Sequence, residues 1–321
     1  MVPAGQENTP LAEVTRLAPS PTGALHLGNA RTFIFNWAMA RQRGWRVGLR
    51  IEDLDATRVK PGAIEQTIEI LEWLGLDWDE GPVVQSHDPG RYVDAMQRLA
   101  RAGAVYPCEL TRTEIEQAAS APQEGVHETV FPAHLRPAGL GPTEFTDTGS
   151  NWRFAVPDEP IEFDDAMFGR VRVSLPETIG DFVVWSKRGQ PSYQLAVVVD
   201  DAQLGVTQVV RGNDLLDSTA RQLVLYRALG LGAEPSHTHL PLVRGPDGRR
   251  LAKRHGDSRL TTWMARGMAP ERVIGLIAWW ASMTATPEPM STETFLEHFN
   301  PCTIPMTDTV YDRSAEAWLT S

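Results

Sequence analysis

Two stretches of the 321-residue sequence combine residue types that can hold a phosphate chain. The first runs through Arg16, Ser20, Thr22, Gly23, His26, Gly28 and Asn29, over a Pro- and Gly-rich turn. A helix opening near Gly28 would aim unpaired N–H groups into that turn, and glycine would let a ligand approach the backbone, so the turn is a candidate anion cradle. Its spacing matches neither the Walker loop nor the dinucleotide fingerprint, which weakens simple NTPase and dinucleotide readings. The second stretch is RGPDGRRLAKRHGD, where Arg249, Arg250, Lys253 and Arg254 stand among glycines. Such a loop could follow the charge of a polyphosphate into its transition state. Each stretch also has an ordinary reading, a sharp strand-to-helix connection with a capping histidine and a solvated basic hairpin.

The elements that must position these residues begin with a strand at 14–18, a helix at 29–43 and a strand at 45–51. Helices follow near 62–75 and 89–103. That alternation predicts a parallel sheet covered by helices. From about Tyr106 the pattern loosens into β-rich runs at 151–156, 170–175 and 181–187, read as an inserted α+β region. Strands are then expected at 193–199, 206–210 and 237–243, with a helix at 215–229. Helical patterns near 261–267, 270–282 and 292–299 close the chain. The expected fold is α/β, a Rossmann-like parallel sheet split by the α+β insert and followed by a C-terminal helical segment. The expected boundaries are 1–92 with 190–256 for the nucleotide-binding part, 93–189 for the insert and 257–321 for the helical segment.

Composition narrows the function classes. The longest apolar run, near Val273 to Trp280, is well short of the roughly 20 residues that cross a bilayer, so no membrane association is expected. The N-terminus lacks the basic start and apolar core of a signal peptide, which places the expected location in the cytoplasm. Cys108 and Cys302 are the only cysteines and cannot build a disulfide framework or a four-thiolate zinc site. A net charge of −11 argues against non-specific coating of nucleic acid. Lysine is confined to Lys60, Lys187 and Lys253, so lysine-dependent chemistry has few candidates.

Taken together and in order, RLAPSPTG, HLGN at 26–29, RIEDLD, YQLAVVVDD, VVRGNDLL, HLPLV and RLAKR at 250–254 resemble the class I aminoacyl-tRNA synthetases. The likeness runs from about Val14 to Arg254 and is nearest to the glutamyl-tRNA synthetase group. HLGN stands where that class has its HIGH motif, and RLAKR where it has KMSKS. Only about 65 residues follow RLAKR, fewer than a large anticodon-binding region needs, so the chain is similar to the truncated branch of the group. That branch activates glutamate with ATP and transfers it to queuosine in the anticodon loop of tRNA(Asp). Two alternatives stay open: a compact glutamyl-tRNA synthetase charging the tRNA 3′ end, and a non-catalytic tRNA-binding paralogue. A monomer is expected.

The resemblance implies roles for individual residues. His26 and Lys253 would be catalytic, and Pro19, His26, Gly28, Asn29 and Lys253 would bind ATP. Arg16 and Arg211 would hold glutamate carboxylates, Glu52 its ammonium, and Tyr193, Ala18 and Ser20 would complete the pocket. Mg²⁺ would bridge the phosphates. Zinc is expected to be absent, because the family's zinc knuckle retains only Cys108 here. Leu110, Phe131 and Leu135 stand at the other knuckle positions, which points to an apolar cluster in place of the metal. Ala252 replaces the KMSKS serine. Asp200 and Asp201 read as helix-cap and structural residues, and His237 and His239 as packed or hydrogen-bonded histidines. Arg41, Arg43, Arg170, Arg172 and Arg188 are either RNA contacts or scattered solvated charges.

Overall fold

The computed structural model describes residues 12–119, 129–249, 251 and 258–320. In chain order the first half contains β1 (Val14–Leu17), α1 (Leu27–Arg43), β2 (Arg46–Ile51), α2 (Ala63–Trp73), β3 (Glu80–Val84), α3 (Gly90–Arg101), β4 (Val105–Cys108) and α4 (Arg112–Ala118). There follow β5 (Asn151–Phe154), β6 (Ile161–Asp165), β7 (Gly169–Val173), α5 (Leu175–Thr178), β8 (Phe182–Ser186) and β9 (Gln190–Pro191). The remainder is α6 (Tyr193–Gln203), β10 (Gln208–Gly212), α7 (Leu216–Leu229), β11 (Ser236–Leu240), β12 (Val243–Arg244), α8 (Leu260–Ala265), α9 (Pro270–Trp280), α10 (Thr292–His298), β13 (Thr309–Val310) and α11 (Arg313–Thr320).

Strands β1, β2 and β3 pair in parallel in that order. β10 pairs in parallel with β11, whose other neighbour is β6, followed by β7. The Thr207 N–H donates to the Val14 carbonyl at 2.9 Å, which brings the start of β10 beside β1. All four residues of β1 are buried, as expected of a parallel strand covered on both faces. One apolar core joins α1 to β1 and β2 through Ile34, Phe35, Ala38, Leu17 and Leu49, and continues into α9 and α10. A second packs α3, α6 and α7 around Met96, Leu99, Leu195 and Leu223, and continues to Trp152 and Trp185. Those two tryptophans belong to the antiparallel sheet β4-β5-β8-β9.

The segment at 193–199 is a helix, α6, and not the strand its three valines imply. Seven of its eleven residues are buried, including Leu195, Val197, Val198, Asp200 and Asp201. A short apolar run buried all round carries no alternation that separates strand from helix. Ser192 decides the outcome locally: its hydroxyl accepts from the Leu195 N–H and caps the first turn. Asp200 and Asp201 therefore lie inside the last turns of α6 and do not cap it. Strand β6 was not expected either, although Ile161, Phe163 and Asp165 alternate inward on it. With β7 it extends the β10-β11 sheet.

Candidate functional site

The turn after β1 is fixed from three sides. The Ser20 hydroxyl donates to the Glu52 carbonyl at 3.0 Å, and the Glu52 N–H donates to the Pro19 carbonyl at 3.0 Å. His26 is the N-cap of α1: its Nδ1 accepts from the Gly28 N–H at 3.1 Å, while the Asn29 side chain accepts from the His26 N–H at 3.0 Å. An accepting Nδ1 leaves Nε2 to carry the proton of a neutral ring, as a donor for an anion requires. A Cβ at position 28 would lie 3.0 Å from the imidazole, so glycine there keeps the ring in place.

The chain just after the second stretch is held against this turn. The Leu27 N–H donates to the Ser258 carbonyl and the Leu260 N–H to the Leu25 carbonyl, both at 3.0 Å. Residues 250 and 252–257, and with them Lys253, Arg250, Arg254 and Ala252, lie outside the described residues. Leu251 is described, is buried, and lines the same cavity as His26.

That cavity, about 230 Å³, also brings together Arg16, Ala18, Pro19, Ser20, Gly28, Asn29, Glu52, Tyr193 and Arg211. Every described residue to which the resemblance gives a substrate role therefore lines a single cavity, whereas Thr22, Gly23 and Arg249 of the two candidate phosphate-holding stretches do not. Sequence reasoning assigned no role to Thr32, Phe33, Asp214, Leu242 and Val243, which are also part of the lining. Tyr193, the first residue of α6, stands at the boundary with a neighbouring cavity of about 540 Å³ and is 41% exposed, so it is not a core aromatic.

The charges around the cavity are not equivalent. Asp201 Oδ1 accepts from Arg16 Nε at 3.0 Å and also from Arg50 Nη1. Arg50, fully buried, reaches Glu52 Oε1 with Nη2 at 2.9 Å. Burial alone would raise the Asp201 carboxyl, but Arg16 and Arg50 together hold it below the usual carboxylate value. Behind it, Asp200 accepts from Arg91, Tyr92 and Gln85. The structural role expected for the two aspartates is thus an ion-pair network that orients Arg16 and Glu52. Arg50 was missed, although the R-x-E spacing at 50 and 52 puts both residues on one side of an extended chain.

Arg211 differs. It donates to His239 Nε2 at 3.0 Å, Gln222 Oε1 at 2.7 Å, Thr219 Oγ1 at 2.7 Å and the Leu215 carbonyl at 3.3 Å. All of these acceptors are neutral. Burial pulls its pKa below the ordinary arginine value, and a buried cation with no carboxylate hydrogen-bonded to it among the described residues is a natural seat for a ligand's negative charge.

Residues 13–304 match the class I tRNA synthetases (E and Q), catalytic domain. The chain belongs to this family. It is 47% identical to the glutamyl-Q tRNA(Asp) synthetase of Symbiobacterium thermophilum over 302 residues, covering 90% of this chain and 93% of the relative. It is 39% identical to the glutamate–tRNA ligase of an Azoarcus species, covering 89% of this chain but 62% of that ligase. Among solved structures it is similar to the glutamate-tRNA synthetase of Elizabethkingia anophelis, with a TM-score of 0.76 at 25% identity over 96% of this chain and 70% of the other.

Away from the cavity, Cys108 packs with Tyr106, Ile115 and Phe131, against Leu110 and Leu135. The apolar knuckle expected from the sequence is present. Among the described residues no group of three or more His, Cys, Asp or Glu is arranged to hold a metal. No helix among them is long and apolar enough to cross a membrane. Of the arginines considered for RNA, Arg41 pairs with Asp77 and Asp79, Arg170 with Glu162 and Asp164, and Arg172 with Glu162. Arg43 lies over the Trp45 ring, and Arg188 is exposed.

Proposed function

We propose that this chain activates glutamate with ATP to form glutamyl-adenylate and transfers the glutamyl group to queuosine in the anticodon loop of tRNA(Asp). One observation carries the reading: a single cavity holds Arg211, a cation with no acid partner among the described residues, together with an acid, Glu52, and the His26 turn. An acidic amino acid and a phosphate chain are the ligands that complement those three features together. The similarity to glutamyl-Q tRNA(Asp) synthetases over nearly their full length supports the choice of acceptor.

In this reading Arg16 and Arg211 hold the glutamate carboxylates, Glu52 the ammonium, and Tyr193 with the backbone of Ala18 and Ser20 completes the amino-acid side. Pro19, His26, Gly28 and Asn29 form the nucleotide side, with Lys253 supplying a point charge to the phosphates. A carboxylate oxygen of glutamate attacks the α-phosphorus, pyrophosphate leaves, and a hydroxyl of the acceptor then takes the acyl group while AMP departs. The nucleophile is already ionised, so the protein needs no base for activation and contributes positioning and charge neutralisation. Residues 1–92 and 190–256 would carry this chemistry, 93–189 would border the acceptor, and 257–321 would brace the core, in a monomer of the cytoplasm.

Glutamate-dependent exchange of pyrophosphate into ATP tests the reading; no exchange above a glutamate-free control would remove it. Similarity to glutamate–tRNA ligases favours a second acceptor, the tRNA 3′ end, which the position of the label on the tRNA separates from the first.

A further inference from the structure

Arg211 is oriented by a chain of groups that reaches into a different part of the fold. Its Nε donates to His239 Nε2, and arginine has no acceptor to offer, so that ring nitrogen is the unprotonated one. The ring proton is then on Nδ1, which lies 2.7 Å from Asp165 Oδ2 and donates to it. Asp165 is itself pinned by the N–H groups of His239, Met167 and Phe168 at 2.9 to 3.1 Å. It ends strand β6, next to His237 of β11 in the sheet register. Both Asp165 and His239 are buried, and neither lines the cavity. The remaining Arg211 bonds, to Gln222, Thr219 and the Leu215 carbonyl, leave one Nη1 hydrogen uncommitted among the described residues.

We propose that His239, with its tautomer set by Asp165, is a positioning residue that fixes the plane of the Arg211 guanidinium and so sets the affinity for the amino acid's carboxylate. The proposal rests on the reading that Arg211 binds that carboxylate. The one uncommitted Nη1 hydrogen offers a carboxylate oxygen a single, directional charge-assisted bond, and a small rotation of the guanidinium plane misaims it while leaving the charge in place. An acceptor at Nε opposes that rotation, and a histidine protonated at Nδ1 supplies one. Gln222 steadies the opposite side, through its own bond from Nε2 to the Gln194 side-chain oxygen at 3.0 Å. Burial and the Arg211 charge both disfavour the imidazolium, in keeping with an acceptor role.

The test compares His239→Leu, His239→Gln and Arg211→Met in pyrophosphate exchange, varying glutamate and ATP separately. His239→Leu, which removes the acceptor, should raise the KM for glutamate about 10- to 100-fold, the equivalent of one hydrogen bond to a charged group, and leave the KM for ATP unchanged. His239→Gln keeps an oxygen for Arg211 and should recover most of that loss. A KM for glutamate unaltered in His239→Leu while Arg211→Met raises it would overturn the proposal and leave the carboxylate reading intact. Unaltered values in Arg211→Met would remove the carboxylate reading itself. If His239→Leu does not fold, NMR of the wild-type protein with isotope-labelled histidine decides: a proton on Nδ1 of His239 agrees with the proposal, and a proton on Nε2 overturns it.

Discussion

Replacing Arg211 with methionine separates binding from stability more cleanly than any other change in the cavity. The side chain is 5% exposed, and its acceptors are all neutral. Losing it leaves the Gln222 and Leu215 oxygens short of a donor, at about 1–3 kcal/mol each. Against that, removal of a buried charge with no carboxylate hydrogen-bonded to it among the described residues returns several kcal/mol on the order of its desolvation penalty. Thr219 can turn its hydroxyl toward His239 Nε2, 3.3 Å away. The two sides nearly cancel, so stability should change by no more than about 2 kcal/mol, or about 3 °C in Tm for a chain of this length. Glutamate loses a charge-assisted partner worth about 1.5–3 kcal/mol, which raises its KM by about 10- to 100-fold. Calorimetry and pyrophosphate exchange measure the two quantities on one preparation. A large fall in Tm with an unchanged KM for glutamate would mean that Arg211 is a structural cation and that the reasoning fails.

Three further outcomes follow from the same charges. Asp201→Asn should cost about 3–5 kcal/mol in urea unfolding, because Arg16 and Arg50 are left buried around a neutral amide; a loss under about 1 kcal/mol would contradict the network. Burial, reinforced by Arg211, lowers the pKa of His237 from 6.5 to about 3. The unfolded chain therefore binds a proton that the folded one refuses, and stability present above pH 6.5 should fall by roughly 2–5 kcal/mol as pH drops toward about 3. His237→Phe should flatten that dependence, and an identical pH profile in the variant would argue against it. Lys253→Ala should lower the rate of pyrophosphate exchange at saturating substrates, and unaltered turnover would reject the role assigned to this lysine from the sequence.

The geometry of the turn before α1 was legible because its information is local. Pro, Gly, His and Asn in the turn before α1 cap that helix in place, with bonds that span two or three residues. The apolar knuckle was legible for a related reason: Leu110, Phe131 and Leu135 at former ligand positions could only pack. The ion-pair network was not, since Asp201 meets Arg16 across 185 positions and Arg50 across 151, and no spacing rule spans such separations. His239 was correctly expected to be hydrogen-bonded, yet its partner Asp165 sits 74 positions away, on a strand that the acidic sequence IEFDD disguised. Helix α6 was misread because residues buried on every side erase the period that distinguishes a strand from a helix.

The central claim, that the Arg211, Glu52 and His26 cavity activates glutamate for a modified base, is tested most directly by incubating the protein with radiolabelled glutamate, ATP and tRNA(Asp) with or without queuosine. Nuclease mapping then locates the label. The account predicts label only on queuosine-containing tRNA and within its anticodon loop; label on the 3′ end, or equal labelling of tRNA lacking queuosine, would contradict it.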